Sequence, residues 1–201
     1  DAEEIKKRPE FINEGLEYIE ARGFKPGDPL YEWRRYSIGA LNGEDHRRLR
    51  GVVNRALTPK SADKVRPVVR QHVRDLLERH ADTGEFDVRQ QIRIVPFLSI
   101  ASFLEISPAE AAEVGQKMQG GGGDAFGPNV TQEIRDRANA TFAAAMEFVG
   151  QLVESRRAEP RDDLLTRLIE AEENGDRLSN EELIVLFTNI FAGAIETTSS
   201  V

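Results

Sequence analysis

The 201-residue sequence contains no cysteine. A disulfide framework, a thiolate metal site and a cysteine nucleophile are therefore excluded within these bounds. Histidine is almost as scarce: of three, His72 and His80 stand eight apart with no third ligand nearby, which favours solvated or capping imidazoles over a metal site. Positive charge is in deficit. A net charge of -8 and a pI near 5.1 oppose a nucleic-acid-binding role, whose electrostatic footprint is basic. No apolar run has the length of about 20 residues that a membrane-crossing helix requires, and no signal peptide or anchor is visible. The run Gly120-Gly121-Gly122-Gly123 lacks the Lys-Ser or Lys-Thr and the preceding strand of a phosphate loop, so it reads as a flexible connection.

Against these absences stands a hydrophobic content of 39%, enough for one sizeable core or half of a larger one. The longest apolar segment, Ser179 to Val201, is also the one that carries reactive polar groups. Ser179 followed by Glu182 is a capping box, in which hydroxyl and carboxylate each satisfy an orphan backbone donor at a helix start. From Leu183 to Ile195 apolar residues cover nearly the whole circumference, which predicts a helix running through a core. Its end is unusual, since Gly193, Ala194, Ile195, Glu196, Thr197 and Thr198 place a poor helix former, an acid and two alcohols inside a buried element. The Thr197 hydroxyl has the Gly193 carbonyl four residues back as a partner, a bond that bends or opens helices. With only hydrogen at Gly193 and a methyl at Ala194, a flat group has room against that turn, and Glu196 can relay protons to the alcohol. A plain small-residue helix crossing with Glu196 in solvent is the alternative.

Other segments read as helices with local punctuation. Asp1 to Arg8 is a short helix closed by Pro9, and Phe11 to Tyr36 is an irregular region in which Tyr31, Trp33 and Tyr36 either cover a pocket or anchor a loop. Asn42-Gly43-Glu44-Asp45 opens a helix with early acids. On it His46 and Arg50 lie four apart on one face, a pair of donors suited to carboxylates or phosphates, or else a solvated basic turn. Thr58-Pro59 stops that helix and starts the next, amphipathic from Val65 to Ala81. Glu85 to Val88 is a candidate brief strand. Helices follow at Ile92 to Ile106, where Pro96 kinks the helix or marks its first turn, after Ser107-Pro108, from Val130 to Arg157, and from Asp162 to Glu172. The fold class is mainly α with at most a short β element.

Asp162, Thr166 and Glu170 recur every four residues and, as DDLLT through Glu170, fit the second magnesium motif of terpene cyclases. A Mg-dependent terpene-cyclase-like enzyme, or a non-catalytic helical domain, is thus the alternative function. No aspartate-rich cluster lies upstream, and a solvated helix start explains the acids equally well.

Taken in order, the pieces resemble the cytochrome P-450 superfamily, the heme-thiolate monooxygenases, in its soluble bacterial branch. The segment GEDHRRLRGVV is similar to the family's C helix, DDLLTRLIEAEENGDRLSNEEL to the connection into its I helix, and FAGAIETTSS to its oxygen-binding turn. Ala194 departs from the commoner Gly. The resemblance runs from the B helix to the middle of the I helix, and implies a single partial domain over residues 1–201 with N- and C-terminal parts of the parent missing. It implies a heme cofactor whose propionates are bound by His46 and Arg50, a dioxygen groove at Gly193 and Ala194, and Glu196 and Thr197 as catalytic groups. The iron's cysteine ligand would lie beyond Val201, so no metal ligand falls within the chain and the fragment alone would be inactive. Substrate contacts are expected from the stretch between Gly15 and Leu41, notably Ile38 and Leu41, and from Asn189 and Ala192, around a small apolar organic molecule that is hydroxylated or epoxidised. A ferredoxin-like or flavin electron donor would dock on Arg47, Arg48, Arg55 and Lys60, in a cytoplasmic protein.

Overall fold

A computed structural model describes residues 4, 8, 12–83, 87, 94–104, 106–118, 122–173 and 178–199, with the side chains of some helical residues excepted. Every regular element among the described residues is helical. The readings for Asp1 to Arg8 and Glu85 to Val88 fall almost wholly outside the described residues.

Nine α-helices are described. They are α1 (Glu17–Glu20), α2 (Pro29–Tyr36), α3 (Gly43–Ala56), α4 (Pro59–Arg79), α5 (Ile94–Leu104), α6 (Pro108–Met118), α7 (Gln132–Ala158), α8 (Leu164–Glu173) and α9 (Asn180–Ser199). Most begin where a local signal places them. At α6, Ser107 N–H donates to Glu110 Oε2 at 2.6 Å and Glu110 N–H returns to Ser107 Oγ at 3.1 Å, a reciprocal cap. Thr131 caps α7 through Ile134 N–H. Pro29, Pro59 and Pro108 take first positions, where the missing N–H costs nothing, and Pro96 sits in the first turn of α5.

Two boundaries differ from the sequence reading. The stretch from Phe11 to Tyr36, read as irregular, contains α1 and α2, because Pro29 and the buried residues Leu30, Tyr31 and Trp33 turn it into an amphipathic helix. The helix expected from Asp162 starts at Leu164 instead. Asp163 is its cap, accepting Thr166 N–H at 2.7 Å, so Asp162 precedes the helix.

Two apolar clusters share α9. The larger joins Leu49 and Val52 of α3, Leu104 of α5, Val149 and Val153 of α7, Leu165 and Leu168 of α8, and Leu183, Leu186, Phe187 and Phe191 of α9. The smaller joins Ile19, Phe24, Leu30 and Trp33 with Ala138 and Phe142 of α7 and Val185 of α9. Trp33 lies 4.6 Å from Phe142 between ring centroids, so the aromatics of α2 anchor this segment to the core. Helix α9 packs against α2, α5, α7 and α8. Leu183, Leu186, Phe187 and Phe191 are fully buried, each contributing about 1.5–3 kcal/mol by removal from water. No described helix is long and apolar enough to cross a membrane.

Candidate active site

The rod at the centre starts at a shared carboxylate. Ser179 N–H donates to Glu182 Oε2 at 2.9 Å, and Glu182 N–H donates to Ser179 Oγ at 3.1 Å, completing the cap read from the sequence. The same carboxylate receives both terminal nitrogens of Arg48 from α3, one of them at 3.0 Å. This is a bidentate pair in which Arg48 keeps 24% and Glu182 12% of its side-chain exposure. The hydrogen bonds that Arg48 donates to Glu182 hold its guanidinium protonated beyond the usual range, against partial burial.

That pair fixes the rotation of α3. A helix turns about 100° per residue, so His46 and Arg50 share one face, and Arg48 projects from nearly the opposite side. His46 is half-buried and Arg50 exposed. Neither side chain makes a hydrogen bond or ion pair with the described residues. One face of α3 is therefore spent on packing and the other presents two uncommitted donors. Arg48 does not belong to the basic docking patch read from the sequence, because its charge is committed to Glu182 and Asp45.

Further along α9, Gly193 is exposed, and a Cβ built there would meet nothing within 4 Å. The α-helix continues through this turn to Ser199, without the loosening suggested by Thr197. Ala194, Glu196 and Thr197 belong to this helix, with side chains outside the described residues. Ala192 is half-buried.

Of the expected pocket residues, Ile38 and Leu41 pack half-buried against the larger core. Asn189 is held by a contact that the sequence did not announce. The buried Ser37 hydroxyl donates to Asn189 Oδ1 at 2.9 Å, and Asn189 Nδ2 donates to the Val185 carbonyl at 2.8 Å.

The acidic row of the cyclase reading does not assemble. Asp162 is exposed and stands before α8, whereas Thr166 is buried with its hydroxyl accepting Arg161 N–H at 3.0 Å. No group of three metal-ligating side chains occurs among the described residues.

No protein-family model matches the chain. Curated relatives and solved structures do. It is 31% identical over 174 residues to the epothilone C/D epoxidase of Sorangium cellulosum, covering 84% of this chain and 41% of that one. It is 29% identical over 160 residues to the polyketide biosynthesis cytochrome P450 PksS of Bacillus subtilis (strain 168), covering 79% and 38%. The solved structure of epothilone B-bound cytochrome P450epoK superposes with a TM-score of 0.79 at 26% identity, covering 94% of this chain and 48% of that one. The chain belongs to the cytochrome P450 family. It spans about two-fifths of the length of the two curated relatives, and the helical architecture of its described residues is a partial P450 fold.

For a P450 chain, the group to test against the site is heme, a flat macrocycle with two carboxylates. Two cationic donors one helical turn apart suit its carboxylates. His46 and Arg50 share one face of α3 and make no side-chain hydrogen bond or ion pair with the described residues, and a Cβ built at Gly193 meets no described atom within 4 Å. Sequence reasoning missed a second electrostatic joint of this P450. Arg156 near the end of α7 and Asp163 at the start of α8 are 1% and 0% exposed, and Arg156 Nε donates to Asp163 Oδ2. Glu110 lies 3.7 Å from Arg156 Nη1. The signal available in the sequence, an Arg seven residues before an Asp, is too common to single out.

Proposed function

We propose that the chain is part of a heme-dependent monooxygenase that activates dioxygen to hydroxylate or epoxidise a small apolar organic substrate. The observation that carries this reading is the open face at Gly193, three residues before Glu196 and four before Thr197, on a helix whose preceding turns are buried. The similarity to an epoxidase supports the reaction class.

His46 and Arg50 hold the heme carboxylates. Heme, when bound through a thiolate, supplies dioxygen activation, and with no cysteine in the chain that thiolate comes from sequence outside it. Gly193 and Ala194 leave room beside the helix for dioxygen. Thr197 holds a proton at its hydroxyl, and Glu196 passes protons from solvent toward it. Ile38, Leu41 and Ala192 exclude water and orient the carbon skeleton, with Asn189 beside them. One oxygen atom enters a C–H bond or spans a C=C bond, while the other leaves as water with two protons and two electrons. A ferredoxin-like or flavin donor brings those electrons, with Arg47 among the residues that receive it, in a cytoplasmic protein. In the protein expressed from its complete reading frame, the reduced carbon monoxide spectrum should carry the thiolate band. Thr197→Ala should then consume reductant with little product. A complete frame lacking a heme-ligating cysteine, or fully coupled turnover in Thr197→Ala, removes the respective claim.

A further inference from the structure

Asn189 is a costly residue for its position. It sits on a helix that is otherwise apolar on nearly all sides, and asparagine is a weak helix former whose amide must be satisfied when desolvated. Four hydrogen-bonding positions belong to an amide, two lone pairs and two N–H donors. In Asn189 two are used: Oδ1 accepts from Ser37, and Nδ2 donates to Val185. One N–H and one lone pair remain on a half-buried side chain. Ser37 is 2% exposed and comes from a segment 152 residues away, just past α2. The Val185 carbonyl can only accept, so it fixes which end of the amide is nitrogen, and the Ser37 hydroxyl holds the oxygen end toward the segment after α2, so the spare N–H has a set direction rather than a rotating one.

Asn189 also shares a helix face with Ala192 and Gly193, three and four residues on, and a Cβ built at the exposed Gly193 meets no described atom within 4 Å. The amide therefore lies on the same stripe of α9 as the exposed Gly193. Thr197 stands eight residues further along, or roughly 12 Å at about 1.5 Å per residue.

Resting on the monooxygenase reading above, we propose that Ser37 orients Asn189 as a polar anchor for substrate. The preferred substrates then carry a hydrogen-bond-accepting oxygen, such as a ketone, ester or hydroxyl, about two helical turns from the carbon that is oxidised. Asn189 is the specificity-determining residue and Ser37 its positioning residue. A purely apolar substrate would leave the donor unpaired and would be discriminated against by the loss of that hydrogen bond.

The test uses the complete protein with 2-decanone and decane, two ligands that differ in one carbonyl. Equilibrium dialysis gives both dissociation constants whether or not heme is bound, and the heme spin-state shift gives them independently. The ketone is expected to bind about tenfold more tightly than the alkane. This ratio should fall toward one in Asn189→Leu and in Ser37→Ala, and Ser37→Thr, which keeps a hydroxyl, should restore most of it. Equal binding by the unaltered protein, or a ratio that survives both Asn189→Leu and Ser37→Ala, overturns the anchor. Absence of the thiolate spectrum with the ratio intact would instead count against the monooxygenase reading alone.

Discussion

Arg48 of α3 grips both oxygens of Glu182, the residue that also caps the first turn of α9. One carboxylate thus starts the central helix and sets the rotation of the helix bearing His46 and Arg50. Arg48→Ala and Glu182→Gln should each lower stability by about 1–3 kcal/mol, because the pair is bidentate and largely shielded from solvent. Chemical denaturation of both single variants and the double variant checks this. A coupling energy near zero would reduce the pair to a surface contact.

Asp163 is a harder residue to lose. It is fully buried, pairs with Arg156 and caps α8 through Thr166 N–H. Asp163→Ala should cost about 3–5 kcal/mol, since it strands a buried guanidinium whose terminal nitrogens already have no hydrogen-bond partner. Replacing both residues by apolar ones, as Arg156→Met with Asp163→Leu, should recover much of that loss. Melting temperatures of the two proteins give the comparison.

Glu110 makes stability depend on pH. Partial burial pushes its carboxyl up, but hydrogen bonds from Ser107 and the charges of Arg156 and Arg161 outweigh this and hold it below the usual glutamate range. A depressed native value means that the stabilisation is complete above the unfolded-state value and fades as pH falls through the native one. The stability gap between the unaltered protein and Glu110→Gln should therefore be constant near neutral pH and close on acidification below the ordinary carboxylate range. Urea unfolding across that range measures it.

Gly193 separates packing from function. A methyl at this position meets nothing within 4 Å, and alanine is the better helix former. Gly193→Ala should leave the fold intact and raise stability by up to about 1 kcal/mol, while weakening heme retention in the complete protein. A stabilised variant with unchanged heme content would show that the open face is not used.

Much of the fold was legible because its signals are local. The Ser179–Glu182 box, the Ser107-Pro108 start, the first-turn prolines and the all-round apolar surface of α9 act within one or two turns, and the helices begin close to where those residues place them. Asn42 shows the limit of such reasoning. It precedes α3 as a cap should, yet its side chain makes no cap and instead exchanges hydrogen bonds with the Asn13 backbone.

By itself the sequence determined the helical class, the buried central rod and the order of motifs that resembles the P450 family. Only the tertiary structure decided which polar groups are committed: Arg48 to Glu182, Ser37 to Asn189, Arg156 to Asp163. The reason is physical. A cap or an apolar stripe is set by residues within a few positions of each other, whereas the worth of a charge or an amide depends on how far packing removes it from water and on what distant chain segment is brought against it.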